Sequence, residues 1–297
     1  MVYDWVSFRK NYVRKNCPKP QKIIGIVTII SSVANFATAC STAPNTFSKM
    51  NQPVHLSRTL QIPTKQLHKL VNSHLLSPAK VENLTFTVPT KYQGKIVYHA
   101  QLHNNDKVIA LTIDDGPWQN TTSQILDILD KNQVKATFFL VGQALQEHPD
   151  LAKREVAEGY VIGNHTWHHW YRRMDEATAK SEIERTADLI YKTTGVKTSL
   201  FRPPGGFLNN GLATYAKSQK DTIVMWSLTS ADTDPHAKPQ AFVNNVLKGA
   251  KPGSIVLMHD GGGNRERTVQ ALPQIISGLK QQGYRFVTVP QLLEMNQ

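Results

Sequence analysis

From Lys107 onward the chain alternates short apolar, β-branched runs with longer amphipathic stretches. Val108–Ile113, Thr137–Val141, Tyr160–Gly163, Ser199–Phe201, Thr222–Trp226, Ser254–Met258 and Arg285–Val289 predict strands. Thr121–Asn132, Ala144–Glu158, Asp175–Thr194, Gly211–Ser218, Pro239–Gly249 and Thr268–Gln282 predict helices. In the first of these Ile125, Leu126, Ile128 and Leu129 recur at helical spacing, as do Ile183, Ala187 and Ile190 in the third. Strands alternating with helices imply βα units around a parallel sheet, and the strand count implies a β/α barrel one strand short of eight.

Ahead of this body the pattern changes. Ile23–Ala39 is uncharged and follows a basic segment holding Arg9, Lys10, Arg14, Lys15, Lys19 and Lys22. A basic n-region, an apolar stretch and small residues before a cleavage point form an export signal. Ala37-Thr38-Ala39-Cys40 resembles a bacterial lipobox, although Ala37 stands where Leu is usual. Three outcomes stay open: a lipoprotein anchored through Cys40, an uncleaved signal anchor in the membrane, or a secreted protein. Residues 41–103 carry scattered prolines and no sustained period, and read as a basic linker with short strands at Leu84–Val88 and Lys95–His99. The predicted organisation is therefore 1–40 export signal, 41–103 linker and 104–297 folded βα domain.

Charge sharpens that division. The 297 residues carry a net charge of +12 and only two cysteines, Cys17 and Cys40, so neither a disulfide scaffold nor a Cys-rich zinc fold is available. Residues 1–40 hold six basic residues and one acidic, 41–103 seven and one, and 104–297 21 and 20. A nearly neutral body argues against nucleic acid as a partner, and nothing in the sequence asks for more than a monomer. The basic N-terminal third suits an anionic cell envelope or simple solvation of a tether.

In parallel β/α folds chemistry collects at the C-terminal ends of the strands. Here those ends read Asp114-Asp115-Gly116-Pro117, Asn164-His165-Thr166-Trp167-His168-His169, Arg202-Pro203-Pro204-Gly205 and Leu257-Met258-His259-Asp260. Adjacent carboxylates repel unless a cation or a proton divides them. His165 and His169 are four apart, so one helical turn would bring both rings to one side. With one Asp they would make a two-His, one-carboxylate site for Zn²⁺ or a similar divalent ion. The Gly261-Gly262-Gly263 run lacks the Lys-Ser/Thr of a phosphate loop and reads as a flexible rim.

These four motifs, in this order over about Lys107–Leu293, resemble the polysaccharide deacetylase family, the NodB-homology domain of carbohydrate esterase family 4. The resemblance implies a distorted seven-stranded β/α barrel and a metal-dependent hydrolase that removes N-acetyl groups from N-acetylglucosamine units of peptidoglycan or a chitin-like polymer. It implies that Asp115, His165 and His169 bind the metal (Zn²⁺, or Co²⁺), that Asp114 is the general base and that His259 is the general acid. Arg202 would hold Asp114, and the backbone N–H of Gly205, after Pro204, would face the oxyanion. Trp226 and Leu257 would line the substrate site. Two departures stand out: Gly205 occupies a position where many members have Tyr, and Thr229 and Thr233 break the motif that would supply the partner of His259. Asp232 is assigned to that part, with Asp234 as the alternative. Trp118, Trp167 and Trp170 could stack on sugars or pack into the walls. Two rivals remain: a glycoside hydrolase, which needs carboxylates on either side of the scissile bond, and a deacetylase-like domain that only binds glycan.

Overall fold

The computed structural model describes residues 85–86, 88–103 and 106–296. The export signal, the Cys40 site and most of the expected linker lie outside the described residues. In chain order the elements are β1 (Thr85–Phe86), β2 (Ile96–Val97), β3 (Val108–Asp114), α1 (Thr121–Lys131), β4 (Thr137–Leu140), α2 (Gly142–Glu147), α3 (Pro149–Ala157) and β5 (Val161–Asn164). They continue with α4 (Glu176–Thr194), β6 (Lys197–Thr198), β7 (Leu200–Phe201), α5 (Leu212–Ser218), β8 (Thr222–Val224), β9 (Leu228–Thr229) and α6 (Pro239–Gly249). The last are β10 (Ile255–His259), α7 (Glu266–Gln281), β11 (Arg285–Phe286) and α8 (Val289–Glu294).

Nine strands form one curled parallel sheet in the order β2-β8-β7-β5-β4-β3-β10-β9, with β11 joined to the start of β3. All seven predicted strands are present, and β2 and β9 add to them. The edge strands β2 and β9 do not pair with each other. Instead His99 bridges Ser254, and the Ala100 N–H donates to the Gly253 carbonyl at 2.9 Å, so the segment after β2 reaches the foot of β10. Of the two strands expected within the linker, Lys95–His99 joins this sheet as β2, whereas Leu84–Val88 is reduced to β1, which pairs with β6 in a separate two-stranded sheet. Val88, Tyr92, Val97 and Ala100 are buried with the barrel interior, so the chain from Val88 to Ala100 packs as barrel wall.

Strand alternation divides the core in two. On β3, Ile109, Leu111 and Ile113 face the helices and pack with Leu126, Leu129, Leu272, Ile275 and Ile276. Val108 and Ala110 point the other way, into the barrel, with Phe139, Leu200, Val224 and Ile255. Thr112 and Asp114 continue that inner face upward, so the sequence that builds the core also lifts a carboxylate to the rim.

Two elements differ from expectation. The single helix expected over Ala144–Glu158 breaks at His148 because Pro149 has no N–H to continue it, and α3 starts on that proline. The last strand ends at Phe286 rather than Val289. Thr288 caps a helix whose Gln291 side chain accepts the Thr288 N–H at 3.0 Å, and Pro290 suits the first turn. This helix, α8, buries Val289, Leu292 and Leu293 among the inner residues and closes the lower end of the barrel.

Leu292 has no exposed surface, whereas Glu294 on the same helix is exposed. Leu292→Ala is expected to lower the unfolding free energy by about 2–5 kcal/mol in a denaturant titration. Glu294→Ala is expected to change it by less than about 0.5 kcal/mol.

Candidate active site

The upper ends of β3, β5, β7 and β10 bring the expected residues together. Arg202, directly after β7, has no exposed surface. Its Nη1 donates to Asp114 Oδ1 at 2.7 Å and to Thr112 Oγ1 at 2.8 Å. Its Nε donates to the Val224 carbonyl at 2.7 Å and Nη2 to that of Met225 at 3.0 Å. The guanidinium lies 4.2 Å from the ring centre of Phe139 and 5.7 Å from that of Trp226. Thr112 also donates to the Val256 carbonyl at 2.6 Å, fixing its hydroxyl against β10. Sequence reasoning missed Thr112; its signal was a polar residue two before Asp114 in an otherwise apolar strand.

Strict alternation would send Asp114 and Asp115 to opposite sides. The backbone at Asp115 is left-handed (φ 79), which turns its carboxylate back toward the site. Both acids then face one imidazole: His165 Nε2 is 3.5 Å from Asp115 Oδ1 and 3.7 Å from Asp114 Oδ2. His169 Nε2 lies 3.0 Å from the same Asp115 Oδ1. The two imidazoles converge, centroids 4.9 Å apart, without the helical turn expected from their spacing. The segment is a loop with left-handed residues at Thr166 (φ 72) and His169 (φ 59). Asn164 shapes it by accepting the Thr166 N–H at 2.9 Å and donating to the Ile183 carbonyl at 2.8 Å.

The donor set fits a divalent cation. His165 Nδ1 lies 2.6 Å from the Arg202 carbonyl, which can only accept, so this nitrogen carries a proton and Nε2 is the atom turned toward the two carboxylates. Asp115 Oδ1 is buried and has no hydrogen-bond donor. One ligand atom each from Asp115, His165 and His169 lies within 4.8 Å of the others. Burial opposes ionisation of Asp115, but His169 and His165, with His259 farther off, outweigh it and hold the carboxyl well below the usual range.

His259 ends β10. Its Nδ1 lies 2.8 Å from Asp232 Oδ1, and its backbone N–H donates to Asp232 Oδ2 at 2.9 Å. Thr268, on α7, donates to the same Oδ2 at 2.9 Å. Asp234 instead accepts the backbone N–H of His236. Burial would lower the His259 pKa, but the Asp232 carboxylate, helped by Asp115 and Asp114, raises it to about 9. In turn His259 and Arg265 outweigh burial and depress Asp232. Leu257 lies on the same strand face two residues below His259 and is buried. Pro204 and Gly205 form a tight turn after Arg202; Gly205 is exposed, and its N–H has no acceptor among the described residues.

Two features went unread in the sequence. The Gly261–Gly263 run is no loose rim: a Cβ at Gly261 would stand 2.3 Å from the Asp115 carbonyl oxygen. The chain needs glycine there for close approach. Arg265 donates to the Gly261 carbonyl at 2.7 Å and places Nη2 3.9 Å from Asp115 Oδ2. Of the tryptophans named from sequence, Trp167 is buried with the Arg185 guanidinium 4.0 Å from its ring centre. Trp170 stacks on His168 at 4.1 Å and has Arg172 at 3.9 Å. Trp226 is half-buried beside Arg202.

This constellation can be set beside known proteins. The profile of the polysaccharide deacetylase family matches residues 101–223. A peptidoglycan-N-acetylglucosamine deacetylase of Bacillus cereus is 42% identical over 200 residues, covering 65% of this chain and 91% of the relative. The crystal structure of a peptidoglycan N-acetylglucosamine deacetylase in complex with a substituted benzamide superposes with a TM-score of 0.64 at 36% identity, covering 69% of this chain and 94% of that one. A carbohydrate esterase family 4 pseudoenzyme of Bacillus anthracis superposes with a TM-score of 0.62 at 29% identity, covering 69% and 70%. The described fold thus recurs in relatives that the chain covers to 91% and 94% of their length at 42% and 36% identity, and the chain belongs to the polysaccharide deacetylase family.

Proposed function

We propose that the chain is a metal-dependent hydrolase that removes N-acetyl groups from N-acetylglucosamine units of a cell-envelope polysaccharide, peptidoglycan before a chitin-like polymer. The observation that carries this is the Asp115 oxygen, buried without a donor and faced by two imidazole Nε2 atoms. The relatives named for peptidoglycan deacetylation support the choice of polymer. A pseudoenzyme with the same fold shows that fold alone does not make a catalyst. Here a base, an acid and three candidate ligands stand together, which disfavours a domain that only binds glycan. A glycoside hydrolase is disfavoured because Asp114 and Asp115 share His165 rather than facing each other across a cleft.

Asp115, His165 and His169 would hold the ion, for which Zn²⁺ is the leading candidate and Co²⁺ a working substitute. Once bound, it would polarise the acetamide carbonyl and lower the pKa of water. Asp114 takes the proton of the attacking water, its carboxylate fixed by Arg202 through Oδ1 so that Oδ2 is left to face the site. The Gly205 N–H, free of other acceptors, is placed to donate to the carbonyl oxygen as negative charge grows on it. His259, kept cationic by Asp232, gives its proton to the departing amine, so acetate and a free amino sugar result. Trp226 and Leu257 supply apolar surface beside these groups.

The N-terminal reading joins this one. Residues 1–40 serve as a bacterial export signal or anchor, with lipidation at Cys40 as one form. The basic stretch up to β1 tethers the domain to an anionic envelope, where it works as a monomer.

Full-length protein stripped with chelator is expected to release no acetate from peptidoglycan or N-acetylchitooligosaccharides, and to recover on adding Zn²⁺ or Co²⁺. Asp114→Asn should cut turnover about 10²–10⁴-fold while its metal content, read by elemental analysis, stays at the unsubstituted level. Turnover indifferent to both changes would refute the mechanism.

A second expectation concerns His259. Its pKa is raised from 6.5 to about 9, so the His259–Asp232 pair stabilises the fold fully below pH 6.5, and this stability is lost as the pH climbs through about 9. NMR of metal-free protein should show the imidazole titrating near 9. Asp232→Asn removes the charge that favours the cation, so that titration and the alkaline limb of kcat/KM should both move to lower pH.

A further inference from the structure

Among the described residues four large hydrophobic side chains are exposed, and two of them stand together at the catalytic rim: Tyr171 at 37% and Phe207 at 45%. Their rings meet edge to face with centroids 5.7 Å apart. Tyr171 also stands edge-on to His169, centroid to centroid 5.2 Å, so the pair begins one ring away from the candidate metal ligands. The backbone beneath is shaped to admit them. Gly205 has φ 60, and a Cβ there would lie 2.8 Å from Tyr171 Cε1 and 2.9 Å from Phe207 Cε2. The two rings therefore pack beside Gly205, in space that a side chain at 205 would need.

An exposed aromatic pair beside a polar centre marks a binding surface. The neighbouring tryptophans are already covered, by Arg185 over Trp167 and by His168 and Arg172 around Trp170. Tyr171 and Phe207 are the aromatics of this loop cluster left open. Their occupant follows from the proposed chemistry, on which this inference rests. An acetamide that reaches Asp115, His165 and His169 is joined through its nitrogen to a pyranose ring, which must then lie over the adjoining rim. A pyranose chair turns C–H groups to one face and hydroxyls to its edge. That shape matches an open aromatic wall bordered by the exposed Arg172 and Arg173.

We infer that Tyr171 and Phe207 form a stacking wall for a pyranose ring of the N-acetylhexosamine polymer and set the affinity for it. The two residues are specificity determinants rather than catalytic ones. Because Phe207 is exposed and its loss leaves the core intact, Phe207→Ala gives a test free of folding failure.

The experiment measures acetate release from N-acetylchitotetraose by full-length, zinc-loaded protein, together with tetrasaccharide affinity by calorimetry in an Asp114→Asn background. Phe207→Ala and Tyr171→Ala are expected to raise both KM and Kd about five- to tenfold, with kcat falling less than about twofold. Phe207→Tyr and Tyr171→Phe, which keep the rings, are expected to restore both constants. Normal release with unchanged KM and Kd in the alanine variants overturns the inference alone. So does a fall in kcat at constant KM, which would mean that the rings only brace His169. Absence of acetate release from the unsubstituted protein overturns the deacetylase reading and this inference with it.

Discussion

The buried ion pair between Arg202 and Asp114 is the contact on which the rest of the site depends. A charged guanidinium is expensive to bury unless every donor is used, and removing one member of such a pair typically costs about 3–5 kcal/mol. Here Arg202 engages β3 through Asp114 and Thr112, and the end of β8 through the carbonyls of Val224 and Met225. Its own carbonyl then fixes the tautomer of His165. One side chain thus orients the candidate base and one main-chain atom orients a candidate metal ligand. Phe139 beneath the guanidinium makes this polar layer the ceiling of the apolar interior.

Much of the frame could be read from sequence because the strands are short, β-branched and flanked by turn residues. Val108–Asp114 shows it best: the same alternation that buries Val108 and Ala110 inside delivers Thr112 and Asp114 to the mouth. What escaped reading were places where local pattern and tertiary role diverge. Arg285–Val289 looks like a strand, yet Thr288, Pro290 and Gln291 carry a helix start that takes over after Phe286. The two-residue β9 is too short to show any period.

At the site, residue identity was legible and geometry was not. The His165–His169 spacing suggested a helical turn, but left-handed residues in a loop produce the same convergence. Adjacent aspartates suggested opposed directions, and a single left-handed residue cancels that. Arg265 and the glycines before it were opaque because their role depends on contact with Asp115, some 150 positions earlier in the chain. The link between Gly205 and Tyr171 is of the same kind: the missing side chain at one position is explained by rings that come from two others.

The closed lower end of the barrel has a consequence of its own. With Leu292, Leu293 and Tyr92 sealed among the inner residues, the barrel formed by the described residues is closed at its lower end. The residues at the upper strand ends can therefore be reached only from above, on the side away from Leu292 and Leu293.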